Sequence, residues 1–138
     1  MTHAPGPELR ALCTPLPAGL IGTLPGGQGR PDASYLPHYH VSQLLLHHLG
    51  RPYGWAVVGV HESGDEREPV GVVGTLRLVI DGEPVSVDGM GSGVDAKKAE
   101  SDAFKRAAMK VGVGLQLWAK GGAAYWLDKQ WVDDEAAG

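Results

Sequence analysis

The stretch from Asp95 to Gly112 constrains the fold of this chain more than any other. At 100° per residue, Ala96, Ala99, Ala103, Ala107 and Val111 form one narrow face of small side chains, widened by Phe104 and Ala108. Small side chains let a helix lie close on a sheet. Asp95 is placed to cap this helix and Gly112 to stop it. The sheet it needs is encoded upstream. Trp55–His61, Val70–Ile80 and Pro84–Val87 read as three strands, and in the second Leu76, Leu78 and Ile80 alternate with Thr75, Arg77 and Val79. Asp81-Gly82 is the strongest short hairpin signal, because both turn positions need positive φ. The polar segment Ser63–Pro69 makes the other antiparallel connection.

A further helix is predicted over His38–Leu49. Pro37 suits its first position, Gly50 and Pro52 end it, and Val41, Leu44, Leu45 and Leu49 make one apolar stripe. Helix, three-stranded meander, helix is an α+β order. The chain has 138 residues, enough for one domain. Its regular part runs from 35 to 114. Seven of the ten prolines fall in the first 37 residues, so 1–34 is an N-terminal segment in which Leu16–Leu24 reads either as a short strand or as a mobile arm. Residues 115–138 form an aromatic-rich tail.

Charge is unevenly placed. Lys97, Lys98, Lys105, Arg106 and Lys110 are five of twelve basic residues, and they share one helix with only Glu100 and Asp102. That segment is +3 in a chain of −4, which leaves −7 for the remainder. Lys98 and Lys105 lie ~20° apart around the axis and roughly 10 Å along it, both pointing away from the alanine face. Asp102 is four residues from Lys98 and from Arg106 and can hold either. A solvated face is the ordinary meaning of such a run. The functional meaning is a track for successive phosphates of an extended strand. Gly89-Met90-Gly91-Ser92-Gly93 runs into this helix and reads as a flexible glycine corner. It lacks the spacing of a dinucleotide fingerprint, and no Gly-Lys-Ser/Thr is present, so no ATP site is predicted.

Other chemistry finds little support. His38, His40, His47, His48 and His61 contain no helical i, i+3 or i, i+4 pair, and no carboxylate lies within Pro37–Leu49, so surface histidines are expected instead of a metal site. Cys13 is the single cysteine, which excludes a disulfide framework; no base adjoins it, and it reads as a small buried or half-buried side chain. Ser92 lacks the flanks of a nucleophile elbow. The chain is read as non-enzymatic, without cofactor or metal. No apolar run reaches ~18–20 residues, and the N-terminus lacks a secretory pattern, so a soluble cytoplasmic protein without membrane contact is expected. Trp55 reads as core. Trp118, Tyr125, Trp126 and Trp131 suit base stacking or burial against another subunit, and Asp133-Asp134-Glu135 suits solvent.

The stretch Asp88–Gly114, and within it Ser101-Asp102-Ala103-Phe104-Lys105-Arg106-Ala107, resembles the signature of the Rad-fifty-two type single-strand annealing family. Tyr35-Leu36-Pro37 through Gly50, and Tyr53-Gly54-Trp55, resemble its first helix and Gly-Trp strand start. Leu12-Cys13-Thr14-Pro15-Leu16-Pro17 and Lys129-Gln130-Trp131-Val132 look most like the bacterial DdrA-like branch. The resemblance implies a β-β-β-α annealing core with Leu16–Leu24 as an extra strand, assembled into a closed homo-oligomeric ring. It implies single-stranded DNA in a groove, backbone inward on the basic helix and bases outward for pairing, in recombination and repair. Lys105 and Arg106 match the family's inner DNA-binding pair; Lys98, Lys97, Lys110, His40 and Arg51 are the further candidates. His40 stands where an arginine is common, and Ile80 where a basic residue often precedes the hairpin, so an outer DNA site is not implied. Two other functions remain open: end protection without annealing, and a module whose basic helix packs on an acidic partner.

Overall fold

A computed structural model of the chain describes residues 6–14, 16, 18–29, 33–62, 64, 65 and 68–118. In order they form helix α1 (Pro7–Cys13), a 3-10 turn (Ala18–Leu20), strands β1 (Gly22–Leu24) and β2 (Ala33–Tyr35), helix α2 (His38–Leu49), strands β3 (Gly54–His61), β4 (Val70–Ile80) and β5 (Glu83–Gly93), and helices α3 (Ala96–Met109) and α4 (Leu115–Trp118). The chain is α+β. β3, β4 and β5 make an antiparallel meander with β4 in the centre, and β1 pairs with β2 in a separate two-stranded sheet.

Local chemistry explains most boundaries. Asp81 and Gly82 both take positive φ, 52° and 81°, and close the β4–β5 hairpin with Ile80 opposite Glu83. Gly50 ends α2 in the left-handed region, its N–H donating to the Leu46 carbonyl. Pro37 is the residue before α2 and not its first helical position: its ψ of 142° is extended. Asp95 caps α3, accepting from the Lys98 N–H at 2.8 Å.

Three expectations need correction. The Gly89–Gly93 run is the second half of an eleven-residue strand, not a flexible corner. Each alternate glycine faces α3, where the helix has replaced the side chain: an added Cβ at Gly89 would stand 2.7 Å from the Ala107 nitrogen, and at Gly91 2.6 Å from the Ala99 carbonyl oxygen. Leu16–Leu24 contributes only the three strand residues Gly22–Leu24, which pair with Ala33–Tyr35 and do not join the meander. Ala96, one turn short of the contact, is exposed. The rest of the small-residue face is buried, with Ala99, Ala103, Ala107 and Ala108 at 0% exposure.

α3 lies across β5 and β4 and scarcely reaches β3. Leu76, Leu78 and Ile80 meet Phe104, Ala107, Ala108 and Val111, and Val41, Leu45 and Leu49 of α2 close the same core. Full burial of a leucine such as Leu45 or Leu76 contributes about 1.5–3 kcal/mol. Leu12 belongs to this core too, and α1, which no sequence pattern announced, is fastened by a reciprocal clasp. The Asp81 carboxylate accepts the N–H groups of Glu8 and Leu9, at 2.9 and 3.2 Å, while the Glu8 carboxylate accepts the Asp81 N–H at 2.6 Å. Asp81 thus caps a helix more than seventy residues away. Asp81→Ala removes the cap and puts alanine at positive φ, so it is expected to cost about 2 kcal/mol in urea denaturation. Asp81→Asn, which keeps one acceptor and tolerates that φ, should cost about half as much.

Candidate functional site

The cations of α3 do not form one row. Lys97 and Lys98 border an open cleft of about 620 Å³ with His38, Trp55, Ser101 and Phe104. Asp95 and Glu100 are also at its wall, both engaged: Asp95 by the Lys98 N–H, and Glu100 by the Trp55 indole N–H at 3.2 Å. The floor is aromatic. Trp55 and Phe104 meet edge to face with centroids 5.3 Å apart, and Tyr53 packs on Phe104 at 5.6 Å. The Tyr53 hydroxyl is held by Ser42 at 2.7 Å.

Lys105, two turns from Lys98, lies half-buried in a smaller cavity of about 170 Å³. Tyr35, Leu36, Val41, Val113 and Leu117 line it, so the lysine stem rests on apolar surface. Arg106 turns to the opposite flank, towards β5. Its Nε donates to Asp102 at 3.0 Å, and the same carboxylate oxygen accepts the Ser92 N–H of β5 at 3.0 Å. Asp102, able by spacing to hold Lys98 or Arg106, holds Arg106. The 100° between neighbours on a helix separates Lys105 from Arg106, and their partners carry them to different flanks.

The remaining candidates lie apart from the clefts. Lys110 is the exposed C-terminal cap of α3. His40 is half-buried on α2, with Nδ1 2.9 Å from Gln43 Oε1 and its ring against Tyr39. Arg51 is exposed in the bend before β3. Trp55, expected in the core, is half-buried: it packs against the core and also walls the cleft, with its indole over Gly74. The available signal was Gly74 itself, a strand residue without a side chain at the position the indole covers.

His47 and His48 meet edge to face at 5.0 Å beside an apolar groove with Leu12, Leu16 and Leu44. Burial, and then the neighbouring His47, lower the His48 pKa from its usual value. Among the described residues no group of three or more His, Cys, Asp or Glu is arranged to hold a metal ion. Cys13 is half-buried, as expected, with its thiol 3.7 Å from the Val111 carbonyl. Tyr125, Trp126, Trp131 and the acidic Asp133-Asp134-Glu135 lie outside the described residues. Among the described residues no helix is long and apolar enough to cross a membrane.

What the geometry offers is a rigid helix with lysines bordering two clefts, one against β3 and floored by aromatic rings, the other against α2. Such a surface suits an extended polyanion carrying planar groups. No protein-family model matches the chain, and no curated protein matches it.

Proposed function

We propose that the protein binds single-stranded DNA along α3 and anneals complementary strands as a homo-oligomeric ring, without ATP, metal or covalent chemistry. The observation that carries this reading is the placement of Lys97, Lys98 and Lys105 beside two clefts along α3. Cations on a rigid rod hold a phosphate backbone by releasing its counterions, and they read no sequence. Unread bases stay available for a second strand. The resemblance of Ser101–Ala107 to the annealing-family signature supports the same reading. The acidic remainder of the chain confines DNA to this helix by repelling it elsewhere.

One observation favours a second reading, protection of single-stranded ends without annealing. Ile80, before the hairpin turn, is only 5% exposed and belongs to the core, so no cation stands there to hold a second strand.

The test is fluorescence anisotropy of a labelled single-stranded oligonucleotide across a salt series, with wild type and Lys105→Ala/Arg106→Ala. Wild type is expected to bind in a strongly salt-dependent way. The double variant should flatten the slope of log K against log salt by about 0.7 for each phosphate it no longer neutralises. Absence of binding at low salt by a folded protein would sink the DNA reading and leave the acidic-partner module. A strand-pairing assay on the binding-competent protein then separates annealing from end protection.

A further inference from the structure

We infer that copies of this chain join head to tail through opposite edges of the meander, the β3 edge of one copy against the β5 edge of the next, with Val58 meeting Met90. The inference rests on the self-association proposed above and names its surfaces.

The first observation is the bareness of β3. α3 covers β5 and β4 and stops, so Val57, Val58 and Val60 stand 41%, 63% and 54% exposed on an edge strand. From Gly54 to Val60 the strand has no charged residue and no proline, the usual protections of an open edge. The opposite edge is guarded differently. Pro84 has no N–H to offer, and the Ser92 N–H is taken by Asp102. Yet that edge also carries Met90 at 72% exposure, with Val94 at 77% just beyond it.

The second observation is register. Val73 of β4 pairs with Met90 on one side and with Gly59, next to the bulged Val58, on the other. Val58 and Met90 therefore stand at the same height on opposite edges. β3 and β5 run in the same direction, since each is antiparallel to β4. A second copy placed alongside at equal height brings its Val58 to Met90 of the first.

Charge completes the match. Gly54 and Ser86 both pair with Arg77, so the bend that carries Arg51, just before Gly54, lies at the same end of the sheet as Glu83, the first residue of β5. At the other end Gly71 pairs with both His61 and Ser92, so Glu62 stands level with Gly93, and an added Cβ at Gly93 would touch the Lys98 Cβ. All four charged residues are exposed. Side-by-side copies thus put Arg51 at the end of the seam that carries Glu83 and Glu62 at the end that carries Lys98, opposite charges flanking an apolar centre. A two-fold β3-to-β3 pairing would leave Met90 and Val94 bare. Repetition of a head-to-tail contact closes into a ring when its rotation divides a full turn.

The test is the solution mass of the full chain by light scattering on size exclusion, with folding checked by circular dichroism. Wild type is expected to run as an oligomer. Val58→Glu and Met90→Glu, each blocking one edge, should each run as a monomer. Mixed, they should form a one-to-one dimer and nothing larger, because each supplies the intact edge that the other needs. Arg51→Glu and Glu83→Arg should each weaken assembly, and together in one chain restore it. Wild-type mass in both edge variants overturns the inference while self-association stands. A Met90→Glu chain that dimerises beside a monomeric Val58→Glu overturns it in favour of two-fold β3 pairing. A monomeric wild type removes self-association and this contact together.

Discussion

Gly91→Ala is expected to lower the stability of the fold by about 4 kcal/mol or more, enough to leave much of the protein unfolded near physiological temperature. The reason is steric and specific. An alanine Cβ at this position would stand 2.6 Å from the Ala99 carbonyl oxygen and 2.8 Å from the Ala103 Cα, both backbone atoms of α3 that no rotamer change can move. The helix must then lift from β5, which unseats its fully buried alanines Ala99, Ala103 and Ala107 together. Gly89→Ala should behave alike, since its Cβ would fall on the Ala103 carbonyl and stand 2.7 Å from the Ala107 nitrogen. Gly71→Ala is the control. Its Cβ meets only ordinary contacts, the nearest at 3.7 Å, so a change within about 1 kcal/mol is expected. Thermal melts followed by circular dichroism decide it: a Gly91→Ala protein melting with wild type would mean that α3 is not seated on the glycine half of β5.

Reversing two charges beside the clefts along α3 is expected to have the largest effect on binding. In Lys98→Glu/Lys105→Glu, two attractive interactions with phosphate become two repulsive ones. At about 1 kcal/mol per unit-charge pair at 4 Å in water, losing two attractions and gaining two repulsions should lower the affinity for single-stranded DNA on the order of a thousand-fold at low salt. The salt slope should flatten by about 1.4 from the two phosphates that are no longer neutralised. The fold should survive, because Lys98 is exposed and Lys105 only half-buried, and neither side chain belongs to the core. These two lysines are the sharper probe of the clefts because Arg106 is already paired with Asp102 on the other flank. Anisotropy at two salt concentrations checks the expectation. Unchanged affinity in a folded double variant would move the DNA path off these clefts.

Much of this architecture is written in short-range pattern. The limits of α2 and β4, the Asp81-Gly82 turn and the Asp95 cap follow from periodicity and turn chemistry within a dozen residues. So does the alanine face of α3, because a residue's angular position on a helix depends on its number alone. The run of five basic residues along and just after α3 is likewise explicit in the sequence.

Four features needed the tertiary structure. Gly89–Gly93 reads as a loop because glycine has poor strand propensity; it is a strand because α3 lies so close that no larger residue fits, a condition set by atoms of another element. α1 is held by Asp81, more than seventy residues on, and no local signal announces a cap at that distance. Trp55 carries the composition of a core residue, and its place at a cleft depends on how far α3 extends over β3. The equal heights of Val58 and Met90 arise from strand register, which joins residues thirty-two positions apart through Val73. Local pattern decides α2, β4, the hairpin turn and α3, together with the charge that α3 carries. Only the close approach of α3 to the glycine strand decided which surfaces were sealed and which were left open, because the distance between two segments belongs to the pair and not to either one.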